Sequence, residues 1–169
     1  MTIFFTSDTH FDHTLMVNER GFSSKDEMNE NLIQKWNEVV SNNDIVYHLG
    51  DFAFCDRKRY EEFYDRLKGK KHLILGNHDK KVYSEWTSVQ QVLLLKTFNR
   101  IIWLSHYPHY SWPHSHYNSW HLYGHCHGKL KTSKLSIDVG VDNYGRPISL
   151  EEVISIIEGI KTVETERMV

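Results

Sequence analysis

Lys71-His72-Leu73-Ile74-Leu75-Gly76-Asn77-His78-Asp79 is a short apolar run that ends in an amide, an imidazole and a carboxylate. Residues 71–75 read as a strand, and Gly76-Asn77 is a turn signal. A strand that stops by delivering polar groups is characteristic of α/β folds, whose ligands gather beyond the carboxyl ends of strands on a rigid sheet. The arrangement recurs in both directions along the chain. Residues 2–6 run into Ser7-Asp8-Thr9-His10, and residues 44–49 into Gly50-Asp51. Further on, residues 100–105 deliver His106, and residues 120–123 deliver Gly124-His125-Cys126-His127.

Between the early strands the apolar spacing turns helical. Ser24-Lys25-Asp26-Glu27 is a capping box, followed by an inward face of Met28, Leu32, Trp36, Val39 and Val40. Tyr60, Phe63, Tyr64 and Leu67 mark a second helix, which Gly69 ends. The second half is richer in strands, with runs at 92–96, 100–105, 120–123 and 134–139. A second capping box, Ser149-Leu150-Glu151-Glu152, opens a last helix with Leu150, Val153, Ile154 and Ile157 inward. Two sheets packed face to face with helices outside satisfy this order. One domain over 1–160 with a polar, fraying tail at 161–169 is expected.

Composition narrows the function. The 169 residues carry 20 Lys+Arg against 22 Asp+Glu, a formal charge of −2, so no basic field advertises nucleic acid. The apolar runs are too short to span a bilayer, and the first residues have no charged region or cleavage site of a secretory signal. Two cysteines are too few for a disulfide scaffold, and a cytoplasmic protein is expected. Histidine is the anomaly, with 12 residues.

Asp8, His10, Asp51, Asn77, His106, His125 and His127 together offer carboxylate, amide oxygen and imidazole. That mixture suits hard and borderline divalent ions and not Cu(I) or an iron–sulfur cluster. Seven donors exceed one four-coordinate zinc but match two ions if one carboxylate bridges. Gly50, Gly76 and Gly124 would let the backbone turn tightly as each ligand is delivered. Read singly, each motif is an ordinary strand-end turn or a solvated His-rich loop. The ordered set is not.

That set, Asp-x-His, Gly-Asp, Gly-Asn-His-Asp, His and Gly-His-x-His, resembles the calcineurin-like metallophosphoesterase family over Asp8 to His127. The segment from Val139 to Leu150 is similar to small bacterial and phage members. The resemblance implies an α/β fold, a four-layer α/β/β/α sandwich of two mixed β-sheets flanked by helices, with a dinuclear centre at its rim. It implies that Asp8, His10 and His127 hold one metal, that Asn77, His106 and His125 hold the other, and that Asp51 bridges. Manganese is the first expectation, with Fe, Zn, Ni or Co as alternatives. His78 would face the leaving group as general acid, while a hydroxide bridging the metals attacks phosphorus in line.

Asp79 has two candidate roles, orienting His78 or capping a helix. His13 and His109 are candidate substrate contacts. His48 is read as a packing or hydrogen-bonding residue. Residues 107–121, thick with Tyr, Trp and His, read as a compact loop packing on itself or as a stacking surface. The expected activity is hydrolysis of a small phosphorylated or nucleotide-like substrate, monoester or diester, in an uncapped cleft. A catalytically silent scaffold and a nucleic-acid end-processing nuclease are the alternatives.

Overall fold

The computed structural model describes residues 1–97, 100–130 and 135–166, with side chains to residue 159. Strands β1 (Ile3–Thr6), β2 (Ile45–His48), β3 (Lys70–Ile74) and β4 (Ser88–Gln90) run parallel in one sheet. The two-residue β9 (Ile148–Ser149) pairs antiparallel with β1 at its edge, giving the order β4-β3-β2-β1-β9. A second sheet has the order β5-β6-β7-β8, from Val92–Thr97, Arg100–Ser105, Trp120–Tyr123 and Ser136–Asp138. There β5 and β6 are antiparallel, while β6, β7 and β8 are parallel. Both sheets are mixed, and helices flank them, as expected.

Strand alternation decides the packing. Phe4, Val46 and Leu73 share a core with Met28, Leu32 and Trp36 of α2 (Lys25–Val39) and Tyr60 and Phe63 of α3 (Arg57–Arg66). Their neighbours Phe5, Tyr47 and Ile74 point to the other face, against Ile102, Leu104, Leu122 and Ile137 of the second sheet. Leu150, Val153 and Ile157 of α5 (Leu150–Glu166) close that second core. Fully burying one such Leu or Phe is worth roughly 1.5–3 kcal/mol, so two alternating faces specify the register of every strand.

Both capping boxes form. Ser24 Oγ accepts from Glu27 N at 3.1 Å, and Ser149 Oγ from Glu152 N at 3.2 Å, with Glu152 Oε2 accepting from Ser149 N in return. Glu27 instead reaches one residue further back, to Ser23 N at 2.8 Å. Three short helical turns escape the pattern: α1 (Thr14–Glu19), α4 (Val141–Tyr144) and the 3-10 turn Ser115–Tyr117. The expected tail overlaps the end of α5; residues 167–169 and side chains from 160 onward lie outside the described residues, as does Lys134 of the expected strand at 134–139. No helix among the described residues is long and apolar enough to cross a membrane.

Candidate metal centre

The five expected strand ends converge. β1, β2 and β3 are adjacent and parallel, as are β6 and β7, so their carboxyl ends share one rim. Beyond them the backbone enters left-handed conformations at Asp8 (φ 58°), His10 (47°), Asp51 (58°), His125 (68°) and His127 (48°). A non-glycine residue there carries a cost of order 1–3 kcal/mol. Five such residues at one rim mark a site held together by its surroundings.

Two groups of ligand atoms result, Asp8 with His10 and His127, and Asp51 with His106 and His125, each within 4.8 Å. Asp51 Oδ2 lies between them, 3.7 Å from His10 Nε2 and 3.5 Å from His106 Nε2. Asn77 Oδ1 is 3.0 Å from His106 Nε2. The structure therefore brings together all seven residues read as donors.

The donor set asks for cations. His106 Nδ1 donates to the Leu49 carbonyl at 2.8 Å, which turns Nε2 toward the side-chain oxygens of Asn77 and Asp51. Asp8 Oδ1 and both ring nitrogens of His10 are buried without a hydrogen-bond partner. Such atoms are costly unless they ligate something. Burial pushes the Asp8 carboxyl up to about 6 and the His10 imidazole down to about 2. Acceptors crowd acceptors here, and divalent ions fit.

Two glycines act by size and not by the turn expected of them. At Gly76 a Cβ would strike Asp51, whose amide nitrogen would lie 2.5 Å away. At Gly124 it would strike Ser7 and approach Asp8 Oδ2 to 2.5 Å. Of these three, only Gly50, with φ 98°, uses the left-handed freedom of glycine.

His78 sits at the edge of the cluster, its side chain 39% exposed and its Nε2 3.9 Å from Asp51 Oδ2. Its backbone N–H donates to Asp51 Oδ1 at 2.9 Å. Asp79 follows neither expected role: its carboxylate accepts from Asp51 N (2.7 Å), Phe52 N (3.0 Å) and Gly76 N (2.8 Å). It thereby ties the β2 loop to the β3 loop, setting the two sequence motifs in register. His13 lies near the cluster, its ring 5.4 Å from that of His10 and 4.3 Å from that of Phe54. His109 is engaged elsewhere, accepting from Trp103 Nε1 at 3.0 Å and stacking on His121.

Two residues absent from the sequence reading support the cluster. Asp142, in α4, accepts from His127 Nδ1 at 2.8 Å and from Arg20 Nε at 2.8 Å. Arg20 also donates to the carbonyls of Asp8 (2.6 Å) and Thr9 (2.9 Å). Burial opposes the Asp142 charge, but these hydrogen bonds outweigh it and hold the carboxyl well below its usual range. The only available signal was an arginine and an aspartate 122 residues apart, with no local pattern to join them.

Relatives follow the same outline. The sequence profile described as calcineurin-like phosphoesterase matches residues 1–161. An uncharacterized protein of Methanocaldococcus jannaschii is 34% identical over 96% of this chain and 95% of its own length. The gene 66 protein of Mycobacterium phage L5 is 28% identical over 95% of this chain and 96% of its own. Among solved structures, a protein of unknown function from Aquifex aeolicus superposes with a TM-score of 0.70 at 24% identity, covering 92% of this chain and 98% of that one. An archaeal phosphodiesterase shares the fold at a TM-score of 0.50 and 19% identity, over 89% of this chain and all of that one (100%).

Proposed function

The chain belongs to the calcineurin-like phosphoesterase family, and from that premise we propose that it hydrolyses small phosphorylated or nucleotide-like esters with two divalent ions, manganese first among them. The observation that carries this reading is Asp51 Oδ2 standing between two three-residue ligand groups. Asp8, His10 and His127 would hold one ion, and Asn77, His106 and His125 the other, with Asp51 shared. Bound there, such ions lower the pKa of water and neutralise charge on phosphoryl oxygens, which supplies the nucleophile and part of the electrostatic stabilisation.

The remaining steps belong to the chain itself. His78, tethered through its backbone to the bridging carboxylate, would hold a proton beside the ester oxygen and pass it to the departing alkoxide. Asp79 fixes the loop that carries His78, so its contribution is positional. His106 and His127 each have the distal ring nitrogen engaged, at Leu49 and Asp142, which orients the other nitrogen inward. We place this single domain of residues 1–160 in the cytoplasm, where free thiols such as Cys55 and Cys126 persist.

A panel assay with Mn²⁺ tests the proposal: a nitrophenyl monoester, a bis-nitrophenyl diester, and 2′,3′- and 3′,5′-cyclic nucleotides. Turnover of at least one, abolished by chelation, is expected. Metal-loaded protein that hydrolyses none would instead act as a scaffold.

A further inference from the structure

A cavity of about 320 Å³ opens beside His78, outside the ligand groups, and the chemistry above makes no use of it. It lies at the small end of ligand pockets, which run roughly 300–1,000 Å³. Its walls are aromatic. Phe54, although 49% exposed, sets its ring 5.0 Å from that of His78. Tyr60 forms a buried floor: its hydroxyl accepts from Trp86 Nε1 at 3.0 Å, and its ring meets Tyr83 at 5.5 Å and Phe52 at 4.8 Å. The Tyr60 ring is thereby held in place. Lys80 and Lys81 complete the lining, and neither ammonium has an acidic partner among the described residues.

The cavity offers no nucleophile. Its one thiol, Cys55, is pushed up to about 12 by burial and by the charges of Asp12 and Asp56, so it stays protonated. It adjoins the metal rim through His78, and through Phe54, whose ring is 4.3 Å from that of His13. A general acid must lie within hydrogen-bond reach of the oxygen it protonates. An alcohol whose oxygen takes the His78 proton would thus lie against a side chain that also lines the cavity.

We infer that this cavity receives the alcohol half of the substrate, a planar heteroaromatic ring bearing one further anionic group, as in a nucleoside monophosphate unit. The ring stacks on Phe54 and Tyr83, which accept any base because every base has a π-face. The anion meets Lys80 and Lys81. In the reaction a water oxygen, having given up one proton to solvent, forms the new bond to phosphorus, the ester P–O bond breaks, and the alcohol departs with the His78 proton, which His78 regains from solvent. The inference rests on the phosphoester reading and on His78 as its acid.

The test titrates adenosine 3′-monophosphate, adenosine and inorganic phosphate into full-length, Mn²⁺-loaded protein by calorimetry. Phe54→Ala is expected to weaken adenosine and its monophosphate about tenfold while phosphate is unaffected, and Phe54→Trp to restore them. Lys80→Ala with Lys81→Ala should weaken only the monophosphate, again about tenfold. Unchanged nucleotide affinity in both variants, or a parallel loss for inorganic phosphate, overturns the inference. Nucleotide binding that follows Phe54 in a protein that hydrolyses no ester would leave the cavity standing and remove the enzyme. Ester hydrolysis with nucleotide affinity indifferent to Phe54 and both lysines would do the reverse.

Discussion

His127 Nδ1 donates to Asp142 Oδ2 across 2.8 Å, and Asp142 is in turn gripped by Arg20, which also holds the carbonyls of Asp8 and Thr9. One proposed ligand's ring and another proposed ligand's backbone thus answer to the same pair of residues. The hydrogen bond fixes the tautomer that leaves Nε2 free to ligate.

Asp142→Asn removes the charge that anchors both His127 and Arg20 while preserving shape. Metal affinity at the Asp8 group should fall about 10–100-fold, because orienting partners of ligating imidazoles contribute on that scale. Metal titration followed by elemental analysis checks it, with the ion at the Asp51 group retained. Equal loss of both ions would mean that the network supports the fold and not one half of the site.

His78→Ala should keep both metals, since its ring belongs to neither ligand group, yet lose about 10²–10⁴-fold in turnover. Rates on substrates with increasingly good leaving groups provide the sharper reading: the deficit should shrink as the leaving oxygen needs its proton less. A uniform deficit across leaving groups would point to binding instead.

Two buried histidines outside the cluster set an acid limit on stability. His48 donates from Nε2 to Thr9 Oγ1 (2.9 Å), whose own proton goes to the Phe52 carbonyl, and its Nδ1 accepts from Gly50 N at 3.2 Å. His121 repeats this between Ser105 (2.9 Å) and Ser136 (3.0 Å). Both rings are neutral in the fold, and burial pushes both down to about 3. The unfolded chain, with histidines near the ordinary 6.5, binds these protons first. Stability is then full above pH ~6.5 and falls as pH drops toward ~3, by at most about 1.4 kcal/mol per pH unit for each ring. Denaturant unfolding at several pH values should give a shallower slope for His121→Gln than for the parent. Equal slopes would mean that His121 is protonated in the fold.

Much of this was legible in the chain because strand ends are local. Leu73-Ile74-Leu75 followed by Gly-Asn-His-Asp states its strand, its turn and its donors within seven residues, and β3 at Lys70–Ile74 lies one residue before the 71–75 read from the sequence. What escaped was nonlocal or too brief for a period. Residues 14–19 make one and a half turns, and β9 has two residues whose place is set by pairing with β1. Asp79 looked like a partner for the histidine beside it; folding instead turned its carboxylate onto backbone amides of a loop 27 and 28 residues away. Arg20 had no motif, and Asp142 lay in the segment from Val139 to Leu150 with no role assigned to it. The packing that joins them exists only in three dimensions.

The most direct measurement follows diester hydrolysis while Mn²⁺ is added to chelator-stripped protein, for the parent chain and for Asp51→Asn. The account predicts activity that rises to a plateau at about two bound ions per chain and is absent without metal. It predicts that Asp51→Asn binds metal weakly and stays inactive, because one shared carboxylate joins both ligand groups. Hydrolysis that persists in excess chelator, or an Asp51→Asn protein that holds two ions tightly and turns over normally, would contradict it.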